Sequence, residues 1–233
     1  MLNFLKFCRS CKVTTLFVEG LYIPKGAQTK EKTILQPSEI KILFNVDTTI
    51  DHKKEIKEIY INAYRWEVIT GLRPGEVLGL KWSDFKNNTL HLKRSLNAYG
   101  EITSGKNDNA RRSFYLTEFA NAILASQKEL LKSLGISSND YVFCNKYCDP
   151  IKQNNYYKHW VKYCEVNGIT KTTPYELRHT FVSAVKSIPE GYLKQVVGHS
   201  KDMDTYGTYS HEVDGDQKAT AQLIQSIFCK IIK

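Results

Sequence analysis

Four short stretches of this sequence concentrate residue types that can bind a phosphate and move protons around it. In chain order they are TGLRPGEVLGLKW (70–82), TSGKNDNARRSF (103–114), TPYELRHTF (173–181) and VGHSKDMDTYGTYSH (197–211). Guanidinium groups stay protonated and form paired hydrogen bonds with phosphate oxygens. Lysine, histidine and tyrosine can act as acids, bases or nucleophiles. These types suit metal-independent chemistry on a phosphodiester, whose negative charge must be neutralised before it can be attacked.

The order of the four stretches resembles the tyrosine recombinase, or phage integrase, family over about residues 34–215. Members of that family carry an arginine in a TGxRxxE segment, a lysine in a β-hairpin, a second arginine in an HxxR segment, a histidine after glycine, and then a nucleophilic tyrosine. Each stretch alone is a weak signal, and the ordered series is a strong one. The resemblance implies a site-specific DNA recombinase that cuts and rejoins DNA through a 3′-phosphotyrosine intermediate, as the integrase of a prophage or an integrative conjugative element.

The resemblance gives each matching residue a role. Arg73 and Arg178 are the two phosphate-binding arginines. Glu76 lies one helical turn after Arg73, where it can hold Arg73 or a neighbouring group in place. Lys106 is the general acid that protonates the leaving 5′ oxygen. His199 hydrogen-bonds the phosphate or helps to take the proton from the nucleophile. The alternatives are a salt-bridged arginine, a solvated loop lysine and a structural histidine at a helix end.

Two tyrosines compete for the role of nucleophile. Tyr209 lies ten residues after His199, and Tyr206 lies seven after it. Relatives commonly have Ser/Thr-His directly after the nucleophile, and Ser210-His211 follows Tyr209 in this way. This context favours Tyr209.

The sequence departs from the family pattern at Tyr175, where HxxR usually has its histidine. The three-residue step keeps Tyr175 and Arg178 on one helix face. A tyrosine hydroxyl can donate to a phosphate oxygen, but it is a poor proton acceptor near neutral pH. We expect Tyr175 to be a tolerated variant within the site, and a tyrosine that merely packs is the alternative. His179 is adjacent to Arg178 and points elsewhere on the helix, so it is no simple replacement.

The elements that must position these residues are mainly helical. Apolar spacing predicts a helix that opens at Pro37, a second one from about His52 to Thr70, and a short one after Arg73. Later helices are predicted at about 117–134, 153–167, 174–187, 190–197, 203–209 and 216–231. Strand-like runs at 89–96, 101–104 and 111–116 predict one small antiparallel sheet. The expected fold class is therefore mainly α with a small antiparallel β-sheet (α+β), and the resemblance implies the tyrosine recombinase catalytic-domain fold.

Three segments are expected along the chain. Residues 1–33 read as the remnant of an upstream core-binding domain or as a linker, and residues 34–215 as the catalytic domain. Residues 216–233 predict a C-terminal amphipathic helix, whose apolar stripe is buried either on its own domain or by exchange between protomers. That stripe comprises Leu223, Ile224, Ile227, Phe228 and Ile231.

Composition narrows the class of partner. The formal net charge of +9 favours a polyanion, and nucleic acid is the leading candidate. The expected partner is double-stranded DNA, bound by a chain that is monomeric in solution and tetrameric on paired recombination sites. An excisionase or a host DNA-bending factor is a candidate accessory protein. No apolar run is long enough for a membrane span, so we expect no membrane partner and a cytoplasmic protein.

No cofactor or metal is expected from the sequence. Cys8 and Cys11 have zinc-like spacing, but no second pair at that spacing follows to complete four ligands. No Gly-rich phosphate loop ending in Gly-Lys-Ser/Thr occurs.

Two rival functions remain open: a truncated DNA-binding fragment that cannot recombine alone, and a type IB topoisomerase-like enzyme, which shares the chemistry but needs no defined site.

Overall fold

A computed structural model describes residues 2–16, 32–103, 111–136, 139–198 and 215–233. The chain divides into two compact units, Met1–Lys32 and Thr33–Lys233. The described part of the first unit contains one helix, α1 (Leu2–Ser10), which ends in a turn where the Lys12 backbone is left-handed. The interpretation of residues 1–33 as the remnant of a larger domain stays a prediction.

The second unit is built around α3 (Ile61–Thr70), a helix whose ten residues are all buried. It packs against α5 (Glu118–Ser133) and α7 (Pro174–Ala184). In a helix enclosed on every side, most polar side chains find their partners inside the protein. Arg65 accordingly pairs with Asp47, and the Tyr156 hydroxyl donates to the Glu67 carboxyl at 3.0 Å.

Further helices surround this centre, and most lie where their apolar periodicity predicts them. Their bounds are α2 (Pro37–Asn45), α4 (Pro74–Leu78), α6 (Gln153–Asn167), α8 (Glu190–Val197) and α9 (Asp216–Ile232). The helix predicted over 203–209 lies outside the described residues. Within the described ranges, no helix is both long and apolar enough to cross a membrane.

Short antiparallel strands complete the unit. Strands β3 (Phe85–Lys86), β4 (Thr89–Leu92) and β7 (Arg112–Tyr115) form one sheet in the order β3-β4-β7, and β5 (Ser95–Leu96) pairs with β6 (Ile102–Thr103). Asn87 and Asn88 join β3 to β4 in a two-residue turn with φ of 50° and 60°, a backbone that asparagine tolerates well. The structure confirms a mainly helical fold with small antiparallel sheets, but the prediction of a single sheet is wrong. The run predicted at 89–96 forms two strands, β4 and β5, which belong to different sheets.

The helix predicted from His52 to Thr70 is wrong in its first half. Residues 48–57 instead form a β-hairpin of β1 (Thr48–Asp51) and β2 (Lys54–Lys57), which turns at His52 and Lys53 with φ of 46° and 63°. Ile56 sits at helical spacing from the apolar residues of α3, yet it lies on the hairpin and is 44% exposed. The turn lacks the Asn-Gly or Asp-Gly pair that would have signalled a hairpin.

The C-terminal helix α9 packs on its own unit, against α2, α8 and β7. Ile224 and Phe228 are buried, and the Phe228 ring stacks on Phe181 of α7 with centroids 6.2 Å apart and planes 11° apart. The Gln225 side chain accepts a hydrogen bond from the Phe119 N–H in the first turn of α5, at 3.1 Å. The structure thus contains the amphipathic helix, and its exchange between protomers stays a prediction.

Candidate active site

Arg73 stands at the junction between α3 and α4. Gly71 ends α3 in a left-handed conformation, with φ of 63°, and its N–H donates to the Glu67 carbonyl. Arg73 is the extended residue before α4, and Pro74 occupies the first helical position, where its fixed φ is favourable. Glu76 accepts from the Arg73 backbone N–H at 2.9 Å and from Arg73 Nη1 at 2.8 Å. The segment TGLRPGE therefore holds Arg73 by both its backbone and its side chain.

Glu76 is buried and binds a second arginine, Arg112 of β7. Arg112 Nη1 donates to Oε1 at 3.1 Å and Nη2 donates to Oε2 at 3.0 Å, which is the paired geometry of a strong arginine–carboxylate contact. Burial raises the pKa of Glu76, but the hydrogen bonds and charge of Arg112, with those of Arg73, lower it by more. The pKa therefore lies below its ordinary value of 4.5, and the carboxylate is ionised at neutral pH.

Arg178 of α7 lies beside this pair and is itself buried. Its Nη1 donates to the Gly71 carbonyl at 2.7 Å, and its Nη2 donates to the Val197 carbonyl at 2.9 Å. Burial lowers the pKa of Arg178 to about 10, and the neighbouring charge of Arg73 contributes to the same shift. The guanidinium therefore stays protonated at neutral pH.

Three successive carbonyls at the end of α8, those of residues 196–198, each accept a hydrogen bond from a different arginine. They accept, in that order, from Arg112 Nε at 3.0 Å, Arg178 Nη2 at 2.9 Å and Arg73 Nη2 at 3.4 Å. A helix C-terminus carries partial negative charge and unpaired carbonyls, so guanidinium groups suit it. We call these three carbonyls the α8 terminus. His199 follows it directly in the chain.

The cluster carries an excess of positive charge. Glu67 lies beneath it, and burial raises its pKa well above the ordinary value, although the Tyr156 hydrogen bond and the Arg178 charge oppose the rise. Burial therefore favours the neutral form of Glu67, whereas Glu76 is ionised and lies between the guanidiniums of Arg73 and Arg112. The Arg73 side chain is 28% exposed and that of Arg112 is 7% exposed, so of these two partners of Glu76 it is Arg73 that an anion from solvent can reach. In the described part of the chain, no group of three or more His, Cys, Asp or Glu residues could hold a metal ion.

The structure places three of the predicted site residues together, namely Arg73, Glu76 and Arg178. Tyr175 lies one turn before Arg178 on α7, is exposed, and packs its ring edge-on against His179 with centroids 5.2 Å apart. The remaining predicted residues lie outside the described ranges, so their roles stay predictions. They are Lys106, His199, Tyr209 and its rival Tyr206.

The sequence interpretation missed Arg112. One signal could have found it, because residues two apart on a strand share a face. Arg112 shares its face of β7 with Phe114, which is buried. An arginine on the apolar face of a strand must be paired inside the protein, and Glu76 is that partner.

The chain is similar in sequence to known integrases and recombinases. A family profile described as "Phage integrase family" matches residues 33–215. A "Tyrosine recombinase XerC-like" protein of Caldanaerobacter subterraneus subsp. tengcongensis is 24% identical over 244 residues, covering 91% of this chain and 62% of the relative. The ICEBs1 integrase of Bacillus subtilis is 25% identical over 181 residues, covering 72% of this chain and 49% of the relative.

Among solved structures, the Tn1549 transposon integrase in complex with transposon right end DNA has a TM-score of 0.59 and 20% identity. The match covers 84% of this chain and 67% of that one, and it shows a shared fold. This chain spans only 62% and 49% of the lengths of the two curated relatives.

Proposed function

The chain belongs to the phage integrase family, and we propose that it cuts and rejoins double-stranded DNA at a specific site, as the integrase of a mobile element. The observation that carries this proposal is the convergence of Arg73 and Arg178 on the α8 terminus, directly before His199. The names of relatives support the mobile-element context, since they include the ICEBs1 and Tn1549 integrases.

Arg73 and Arg178 would bind the non-bridging oxygens of the scissile phosphate. Each guanidinium has five N–H donors. Arg178 uses one N–H on Gly71 and one on Val197, so further donors remain for a phosphate. Such donors act most strongly on the extra charge of the pentavalent transition state, and removal of one commonly costs about 100-fold in rate.

The covalent step proposed here uses residues beyond the described ranges. The Tyr209 hydroxyl oxygen attacks the phosphorus and forms the phosphotyrosyl bond, while the bond from phosphorus to the 5′ oxygen breaks. His199 helps to take the proton from tyrosine, and Lys106 gives a proton to the departing 5′ oxygen. The products are a 3′-phosphotyrosine and a free 5′ hydroxyl, which can attack in the reverse sense to reseal a strand. Tyr175 would donate its hydroxyl hydrogen to a phosphate oxygen.

The expected partners follow from the same proposal. The formal net charge of +9 supports contact with the DNA backbone. Burial of Ile224 and Phe228 of α9 against their own unit supports a monomer in the absence of DNA, although Leu223 of the predicted stripe is exposed. Assembly into a tetramer on paired sites, with an excisionase or a DNA-bending protein, is part of the proposal, as is action in the cytoplasm.

The test begins by finding the site. The chain is incubated with genomic fragments, the fragments that become covalently attached are isolated under denaturing conditions, and they are sequenced. A nicked oligonucleotide that carries the recovered site then traps the intermediate. We expect a DNA adduct on Tyr209 that Tyr209→Phe abolishes and that the matched variant Tyr206→Phe retains. An adduct on Tyr206, or one that survives Tyr209→Phe, contradicts the assignment.

The two arginines are tested on the same substrate. We expect Arg73→Ala and Arg178→Ala each to slow cleavage by about 100-fold or more, while DNA binding is largely retained. Cleavage within about tenfold of the parent refutes the role of that arginine. A supercoiled plasmid without the site separates the rival functions: its relaxation would indicate a topoisomerase, and binding without any adduct would indicate a DNA-binding fragment.

A further inference from the structure

Arg112 of β7 contacts both Glu76, which holds the proposed phosphate-binding residue Arg73, and the end of α8. We propose that Arg112 is a positioning residue of this site, which orients Arg73 through Glu76 and through the α8 terminus that both arginines contact. This inference rests on the proposed function, because it names the residue that shapes the same phosphate-binding cluster.

All three nitrogens of the Arg112 guanidinium are engaged within the protein. Nε donates to the Val196 carbonyl at 3.0 Å, and the two Nη groups donate to the two Glu76 oxygens at 3.1 and 3.0 Å. The side chain is nearly buried. Because the side chain is nearly buried and these contacts go to Val196 and Glu76, we infer that Arg112 acts through its neighbours.

The orientation of Arg73 depends on Glu76. Arg73 Nη1 and Arg112 Nη1 share the same Glu76 oxygen, at 2.8 and 3.1 Å. A second side-chain contact of Arg73, from Nη2 to the Gly198 carbonyl, is long at 3.4 Å. If Arg112 released Glu76, the carboxylate could rotate and carry Arg73 with it. A misplacement of about 1 Å at a reacting centre can cost roughly 100-fold in rate.

The Arg112 guanidinium also packs against Gly198. A Cβ added to Gly198 would lie 2.9 Å from Arg112 Nη1 and 3.0 Å from Cζ, and the Gly198 backbone is left-handed with φ of 69°. Glycine therefore leaves the space that the guanidinium fills. Arg112 also begins β7 six residues after Lys106 in the chain. It thus joins α4, the α8 terminus and the strand that follows the lysine segment.

The variant Arg112→Lys keeps the charge but removes the planar fork. We expect single-turnover cleavage to slow by about tenfold or more while the Kd for DNA stays within about threefold, because geometry is lost and charge is not. Arg65→Lys is the matched control. Arg65 is also buried, donates from Nε to the Leu43 carbonyl at 2.8 Å, and pairs with Asp47, so all its partners lie at the end of α2. We expect Arg65→Lys to cleave within about threefold of the parent.

A substrate without charge on the scissile phosphate gives the decisive readout. A methylphosphonate at that position removes the charge that Arg73 neutralises. If Arg112 acts through Arg73, the defect of Arg112→Lys relative to the parent should shrink from about tenfold on phosphate to under about threefold on methylphosphonate. Gly198→Ala is a second variant, for use if Arg112→Lys does not fold. It pushes on the guanidinium without removing it and should show the same pattern.

Three results would overturn the inference. They are an equal defect on both substrates, a rate for Arg112→Lys that matches Arg65→Lys, and an effect confined to the Kd. Failure of the proposed function looks different, because the parent chain would then form no adduct, or Arg73→Ala would cleave like the parent. That outcome removes both proposals, whereas an active parent with a sensitive Arg73 and an insensitive Arg112 removes only this one.

Discussion

Replacing Glu76 by glutamine tests whether one buried negative charge holds the guanidinium cluster together. The substitution keeps the shape of the side chain but removes the charge that Arg73 and Arg112 bind at 2.8 and 3.0 Å. The glutamine NH2 group is itself a hydrogen-bond donor, so it would face an N–H group of Arg73 or Arg112 without an acceptor between them. Arg73 and Arg112 would then lose the ionised carboxylate that they share.

The size of the effect follows from the burial of each partner. Removing one member of a buried ion pair typically costs about 3–5 kcal/mol, because the other charge stays buried without compensation. Arg112 is nearly buried, whereas Arg73 reaches solvent and can be rehydrated. We therefore expect the free energy of unfolding to fall by about 3 kcal/mol, at the low end of that range. For a unit of this size, that corresponds to a decrease in Tm of about 6–12 °C.

The effect should depend on pH with a definite sign. The pKa of Glu76 is lowered in the folded chain below its ordinary value of 4.5. Its contribution to stability is therefore fully present above that ordinary value, and it is lost as the pH falls through the lower, folded value. The difference in stability between the parent and Glu76→Gln should stay constant from neutral pH down to about 5.5 and shrink at more acidic pH.

Urea denaturation, followed by tryptophan fluorescence at several pH values, measures both quantities. Glu165→Gln is the control, because Glu165 forms an exposed pair with Lys171 at 3.5 Å and should cost less than about 1 kcal/mol. A loss below about 1 kcal/mol for Glu76→Gln at pH 7 would refute the argument that the cluster needs this charge. A stability difference that does not change with pH would refute the pKa assignment.

Two further predictions concern α7 and the helix that packs on it. Tyr175→Phe keeps the ring contact with His179 but removes the hydroxyl, so cleavage should slow by about tenfold, the worth of a hydrogen bond to a charged group. A rate equal to that of the parent would mean that Tyr175 merely packs. Phe228→Ala removes a buried ring that stacks on Phe181 and should lower the free energy of unfolding by about 3–5 kcal/mol in urea denaturation. The exposed Leu223 of the same helix gives the control Leu223→Ala, and an unchanged stability for Phe228→Ala would show that α9 does not pack on its own unit in solution.

Much of the fold could be predicted from the sequence because many helices present one apolar stripe. Helices α5, α6 and α9 begin and end within two residues of the predicted limits. The second strand of the β1–β2 hairpin could not be predicted in the same way, because Ile56 continues the apolar spacing of the following helix. Only its turn, where His52 and Lys53 adopt a left-handed backbone, breaks the pattern, and neither residue type signals such a turn.

In the site, contacts between residues that are close in sequence could be predicted, whereas contacts between distant residues could not. The pairing of Arg73 with Glu76 spans one helical turn, so spacing alone predicts it. The contact of Arg112 with Glu76 spans 36 residues, and that of Arg73 with the Gly198 carbonyl spans 125. Every residue has a backbone carbonyl, whatever its type. The sequence therefore cannot predict that the carbonyls of residues 196–198 accept hydrogen bonds from three arginines.

Because α8 and α9 both pack on one unit, the length of the chain between them limits how far Tyr209 can lie from either helix. Tyr209 lies six residues before Gly215, the residue that precedes α9, and eleven after Gly198. At about 3.5 Å per fully extended residue, its Cα cannot lie more than about 21 Å from that of Gly215, whatever path the segment takes. The tether to α8 allows almost twice that reach, about 39 Å. Wherever α9 packs, on its own unit or on another protomer, the continuity of the chain keeps Tyr209 within that shorter distance of its first turn.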